Sequence, residues 1–185
     1  LVPFPVGRAL SGVMREVGPE NRLWYRRSFS IPADWAGERV VLHFGAVDWQ
    51  ATVWVNGRKV GEHRGGYDPF SFDITSALSD SGPQQITLSV WDPTDAGTQA
   101  RGKQIRKPES IWYSPVTGIW QTVWLEPVPE TSIERVKIVP DAKNGKVHMT
   151  VSTSGDGQSE AKIRIVSRSL GDAREAIDVI ERSGK

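Results

Sequence analysis

The chain has no cysteine among its 185 residues, which excludes disulfides, thiolate zinc sites and thiol catalysis. It lacks a dominant charge: 23 basic residues stand against 22 acidic ones, so neither nucleic acid nor an anionic membrane is expected as a partner. No apolar run approaches the roughly 20 residues that cross a bilayer. Histidine is scarce, with three residues in all. His43 alternates with Leu42 and Phe44, His148 with Val147 and Met149, and His63 ends a hairpin pattern, so zinc spacing and a catalytic triad are both missing. There is no Gly-x-Ser-x-Gly elbow. The glycines of "GEHRGGYD" lack the Gly-Lys-Ser/Thr ending and the following helix that a phosphate cradle needs. No metal and no cofactor is therefore expected.

What is present is β-structure. "LWYRRSFSI" sets Tyr25, Phe29 and Ile31 against Arg26, Ser28 and Ser30, the period of two of a half-buried strand. "RVVLHFGAV" repeats it with Val40, Leu42 and Phe44, and "QITLSVWDP" with Ile86, Leu88 and Val90. In "QATVWVNGRKVGEH", Asn56-Gly57 supplies the two positive-φ positions of a type I′ hairpin turn. Gly65-Gly66 is expected to take positive φ as the chain changes sheets, with Tyr67, Pro69 and Phe70 packing the crossing. "GIWQTVWLEPVP" reads as one strand, Ile119, Gln121, Val123 and Leu125 lying opposite Trp120, Thr122 and Trp124. Short strands with Gly, Pro and Asp between them predict an all-β sandwich or jelly roll.

Between Asp92 and Pro115 the pattern stops. The stretch is too polar for a strand, and loops beyond about 12–15 residues are usually functional or disordered. Ile111, Trp112 and Tyr113 would be wasted in a disordered segment, so an ordered loop reaching away from the sandwich is expected. Asp92 and Asp95 read as turn residues making Asx-type backbone bonds. Glu62, Asp68, Glu109 and Glu126 are carboxylates whose spacing supports no pair for glycosidic cleavage. The eight tryptophans suit a core or a sugar platform equally. Trp120 and Trp124, on an alternating strand, are expected to be buried in the core or between domains. For Trp112 and Tyr113 both readings stay open.

"EPVPET" marks a junction, dividing residues 1–128 from residues 129–185. Beyond it "IERVKIVP", "KVHMTVSTS" and "AKIRIVSRS" alternate as strands, and "DAREAIDVIERSGK" is ambiguous between strand and short helix. This tail reads as the start of a second sandwich with too few strands to close, so the natural polypeptide is expected to continue past Lys185. The start at Leu1 rather than Met suits a processed or excised segment.

Four ordered segments carry a family resemblance: "VPFPVGRALSGV", "LWYRRSFSIP", "VWVNGRKVGEHRGGYDPFSFDIT" and "GKQIRKPESIWYSPVTGIWQTVWLEPVP". Together they resemble the N-terminal sugar-binding domain of family 2 glycoside hydrolases, the β-galactosidase and β-glucuronidase group. The resemblance implies a jelly-roll (galactose-binding-like) β-sandwich followed by a partial immunoglobulin-like β-sandwich. It further implies a (β/α)8 barrel as partner, a carbohydrate substrate, and a parent enzyme that retains anomeric configuration. The catalytic glutamates of such enzymes belong to the barrel, so none is assigned here. The positions matching the substrate-facing loop are Gln104, Arg106, Glu109, Trp112 and Tyr113, with the "PFPVGRALSGV" segment as a second candidate. The resemblance allows a homo-oligomeric parent and suggests a periplasmic or secreted bacterial enzyme. A free-standing carbohydrate-binding module and a structural or oligomerisation sandwich are the competing functions.

Overall fold

The computed structural model describes residues 1–155 and, beyond them, the backbone of two strands, Ile163–Ser169 and Asp172–Val179. The chain divides into two compact units, Leu1–Pro127 and Val128–Lys185.

The first unit contains β1 (Leu23–Phe29), β2 (Arg39–Phe44), β3 (Val47–Asp48), β4 (Gln50–Val55), β5 (Arg58–Arg64), β6 (Phe70–Asp73), β7 (Gln84–Trp91) and β8 (Gly118–Ile119). β9 (Val123–Val128) ends just past its boundary. One sheet has the order β1-β7-β4-β5, a second the order β6-β2-β9, and β3 pairs with β8 in a short ribbon. The inner faces share one core built on Val40, Leu42 and Phe44 of β2, Val53 and Val55 of β4, and Leu88 and Val90 of β7. Those of β2 and β7 are alternating residues that the sequence set inward. Each fully buried side chain of this type contributes about 1.5–3 kcal/mol. Phe44 is fully buried and stacks on Phe70 at 4.8 Å. The unit is the all-β sandwich expected.

Asn56 and Gly57 take φ of 50° and 79°, the pair that a type I′ turn requires. Asn56 also donates from Nδ2 to Gln84 Oε1 (2.6 Å) and accepts the Gln85 N–H at Oδ1 (2.8 Å), binding the turn to β7. The strand expected over "GIWQTVWLEPVP" is divided in two. Residues 120–122 cross from the β3–β8 ribbon to the second sheet, tied by Trp120 N–H to Ala46 O and Gly45 N–H to Thr122 O. Gly45 permits that crossing, because a Cβ there would lie 2.8 Å from Gln121 Cβ. Of the two adjacent glycines only Gly65 has positive φ (136°). Gly66 serves another purpose: a Cβ on it would stand 2.5 Å from Asp48 Oδ1.

In the second unit β10 (Ile133–Asp141) pairs antiparallel with β11 (Lys146–Thr153), and β12 (Ile163–Ser169) with β13 (Asp172–Val179). The Asp141 carboxylate accepts the Asn144 N–H and Nδ2–H and closes the β10–β11 turn. The ambiguous last stretch is a strand over Asp172–Val179, and its residues 180–185 lie outside those described.

Candidate functional site

Residues 92–117 leave β7 and return to β8 as an ordered lobe pinned at its base. Tyr113 N–H donates to Lys103 O (2.7 Å) and Ile105 N–H to Tyr113 O (2.9 Å), which brings Gln104 and Tyr113 into a parallel bridge. Asp95 accepts the Arg106 N–H (3.1 Å) and its Nε–H (2.6 Å), and these bonds hold its carboxyl below the ordinary value. The tip then turns through Ser110, at φ 52°, and Trp112 N–H returns to Glu109 O. The tip presents Ile111, Trp112 and Tyr113 to solvent, and the Arg101 guanidinium lies 5.9 Å from the centre of the Trp112 ring.

Beneath the lobe are two buried carboxylates. Asp92, 2% exposed, accepts the Thr94 N–H (2.7 Å), the Thr94 hydroxyl and the Thr117 hydroxyl (2.5 Å). It makes the Asx bond that its sequence position suggested, and it also clamps the two ends of the lobe together. Asp48, at the end of β3, accepts from Gln104 Nε2 (3.0 Å), while Gln104 Oε1 accepts the Val116 N–H (2.6 Å). Burial is the main force pushing the Asp48 carboxyl up from 3.8 to about 6; Gln104 opposes the shift and the charge of Asp92 adds to it. Neither carboxylate forms an ion pair among the described residues. Buried, unpaired charge costs stability, and such residues concentrate at functional sites.

This gives a pH signature. The folded Asp48 carboxyl holds its proton up to about pH 6, whereas the unfolded one releases it near 3.8. Stability therefore rises as pH falls through 6 towards 4, and the full penalty is felt above 6. Asp48→Asn, which keeps the oxygen facing Gln104, is expected to stabilise the first unit by about 1–2 kcal/mol at pH 7. The gain should vanish near pH 4, as measured by urea unfolding across the pH range. A variant no more stable than the parent at pH 7 contradicts the assignment.

The five residues expected at a substrate-facing loop thus have different surroundings. Gln104 is buried with both amide atoms engaged, which makes it a brace between β3 and the lobe. Arg106 is turned onto Asp95, and Glu109 is on the exposed tip. Trp112 and Tyr113 are the free ones, 38% and 63% exposed. The second candidate segment joins the first, because the Arg8 guanidinium donates to Ser114 O (2.8 Å) and Pro115 O (3.4 Å).

Trp120 and Trp124 are not core residues. With Tyr67, Pro69 and Pro3 they line a surface groove of about 550 Å³. Trp120 donates from Nε1 to Gly66 O (2.7 Å) and meets Tyr67 edge-on, while Trp124 stacks on His43. They keep the face opposite Ile119, Val123 and Leu125 that alternation gave them, and because those three face the core, Trp120 lies half-buried and Trp124 44% exposed on the outer side. Asp48 escaped the sequence reading altogether. Its signal is the lone charged residue in the run "FGAVDWQATVWV". Among the described residues no three His, Asp or Glu side chains converge as a metal would require.

Residues 3–129 match the family described as glycosyl hydrolases family 2, sugar binding domain. A β-galactosidase of Thermoanaerobacter pseudethanolicus is 32% identical over 145 residues, covering 76% of this chain and 19% of that protein. The β-glucuronidase of Rattus norvegicus is 27% identical over 187 residues, covering 88% of this chain and 29% of its own. The solved β-glucuronidase of Faecalibacterium prausnitzii superposes with a TM-score of 0.67 at 27% identity, over 98% of this chain and 34% of that one. The chain thus spans between a fifth and about a third of the length of these relatives.

Proposed function

The chain belongs to the sugar-binding domains of glycosyl hydrolases family 2, and on that premise we propose that it is the non-catalytic start of a retaining exo-β-glycosidase. The lobe carrying Trp112 and Tyr113 leans over the mouth of a (β/α)8 barrel in the parent polypeptide and completes the rim of its sugar pocket. The chain by itself does not cleave glycosides, and the parent works in the periplasm or outside the cell, a location that fractionation would test.

One observation carries this reading. Trp112 and Tyr113 stand exposed on a lobe whose base is locked to β3 and β7 through Gln104, Asp92 and Thr117. A rigid base under free aromatic side chains is the arrangement a docking or sugar-contacting rim needs, since preordering removes the entropy cost of fixing the loop on binding. An aromatic face packs on the apolar face of a sugar ring, and the adjoining polar groups orient it.

The test is kinetic. In the parent enzyme, the double change Trp112→Ala and Tyr113→Ala is expected to lower kcat/KM by about 10–100-fold, mostly through KM, because it removes binding without touching the reacting atoms. A change within twofold contradicts the rim reading. So does tight binding of a simple sugar at the lobe by the 185-residue chain alone.

A further inference from the structure

The outer face of the β1-β7-β4-β5 sheet carries an aromatic and cationic pattern that the rim reading does not use. Register fixes which residues share this face. Trp24 of β1 lies level with Ser89 of β7, Thr52 of β4 and Glu62 of β5. The next row holds Arg26, Thr87, Trp54 and Lys59. A third row holds Trp91, Gln50 and Arg64, and Arg22 immediately precedes β1 beside it. β1 and β4 are not neighbours, because β7 runs between them. The two indoles still meet, stacked at 5.6 Å with 26° between planes, by closing over the small side chains of β7. That closure buries Ser89 to 2% exposure and leaves the outer side of Trp24 open at 58%.

An exposed, supported indole is costly to leave in water, and here it is ringed by cations. Arg22, Arg26 and Arg64 have no ion-pair partner among the described residues. Lys59 is taken by Glu62 at 2.5 Å, and Arg64 and Arg22 join Lys59 in holding the Glu62 carboxyl below its ordinary value. Register sets Arg64 two residues from Glu62 on the same side of β5, and Arg22 two residues before Trp24 on the same side of β1. The face thus combines a flat apolar platform with three unpaired planar forks, the group best matched to carboxylates. Successive outward side chains along β1 are about 6–7 Å apart, so platform and forks alternate on the scale of sugar units.

We propose that this sheet face binds a uronate-bearing polysaccharide, a sugar ring stacking on the open side of Trp24, which Trp54 backs from the other side, and its carboxylates pairing with Arg22, Arg26 and Arg64. A second copy of the chain does not suit the surface, since set face to face these rows offer the three guanidiniums one carboxylate, Glu62, which Lys59 already occupies. A neutral glycan leaves the three cations unanswered. The site shares no residue with the Trp112 lobe, so the two readings stand or fall separately.

Affinity electrophoresis of the 185-residue chain tests it, with polygalacturonate, its methyl-esterified form and polyglutamate each cast in the gel. Retardation is expected with polygalacturonate, at least fivefold weaker with the ester, and absent with polyglutamate. Trp24→Ala should weaken binding at least 10-fold. Arg64→Ala, at an exposed position outside the core, should weaken it about three- to tenfold and flatten its salt dependence. Equal retardation by polyglutamate would reduce the face to a cation exchanger and overturn the proposal. Indifference to all three polymers would overturn it as well, as would a dimer in sedimentation that Trp24→Ala dissociates.

Discussion

Replacing Gly118 by alanine is expected to lower the unfolding midpoint of the first unit by about 10 °C, a cost of about 3–4 kcal/mol. Gly118 has φ of 101°, a region that side chains of L-residues rarely enter. The space beside it is also occupied. A Cβ there would overlap the Tyr25 hydroxyl and come within 2.9 Å of Leu23 Cδ2. Tyr25 cannot yield cheaply, because its hydroxyl accepts the Ile119 N–H (3.1 Å) and its ring packs against the core. Its burial raises the phenol's pKa above the ordinary value, so the hydroxyl stays neutral at any physiological pH. Thermal unfolding of Gly118→Ala checks the prediction, and a midpoint within 2–3 °C of the parent, about 1 kcal/mol, contradicts it. Combining it with Tyr25→Phe should return only part of the loss, since the backbone strain at φ 101° remains.

Asp92→Ala is expected to destabilise the same unit by about 2–4 kcal/mol and to open the lobe to proteolysis. The carboxylate satisfies one backbone N–H and two hydroxyls in a site 2% exposed. Alanine leaves the buried Thr94 N–H without an acceptor and releases Thr117 from the start of the lobe. Asp92→Asn separates charge from hydrogen bonding. It keeps one oxygen for the Thr94 N–H, and hydroxyls can reverse to accept from the new amide. Asparagine should therefore cost about 1 kcal/mol or less, with some return from relief of Asp48, whose carboxyl Asp92 helps push up. Limited proteolysis across residues 95–113, with urea unfolding, distinguishes the two variants. Equal losses would mean that charge rather than hydrogen bonding holds the lobe.

Legibility in the sequence differed from one element to the next. β2 was plain, because Val40, Leu42 and Phe44 alternate with Val41 and His43, and that period of two is local. The Asn56-Gly57 turn was plain for the same reason, a turn type being set by the φ its own residues tolerate. The run from Gly118 to Val128 read as one strand, since alternation cannot register that the chain changes sheets at residues 120–122. Alternation did place Trp120 and Trp124 opposite Ile119, Val123 and Leu125, but it could not tell that the core lies on the side of those three, so of the expected burials the one in the core of this unit is ruled out. In the candidate loop the residue types were legible but not their duties. Gln104 and Trp112 look alike as contact residues in one dimension, and only the position of Asp48 makes the first a brace and leaves the second free.

By itself, then, the sequence determined the all-β class, the inward set of the main strands, the hairpin turn, and membership in a glycosyl hydrolase family through several ordered motifs. Each of these rests on local periodicity, local turn chemistry or the order of short segments. The tertiary structure alone decided which distant residues meet: Asp48 with Gln104, Asp92 with Thr117, Arg8 with Ser114, and Trp24 with Trp54 across β7. Strand order and loop closure bring together groups that stand 25 to 106 positions apart, and no local preference encodes such pairings.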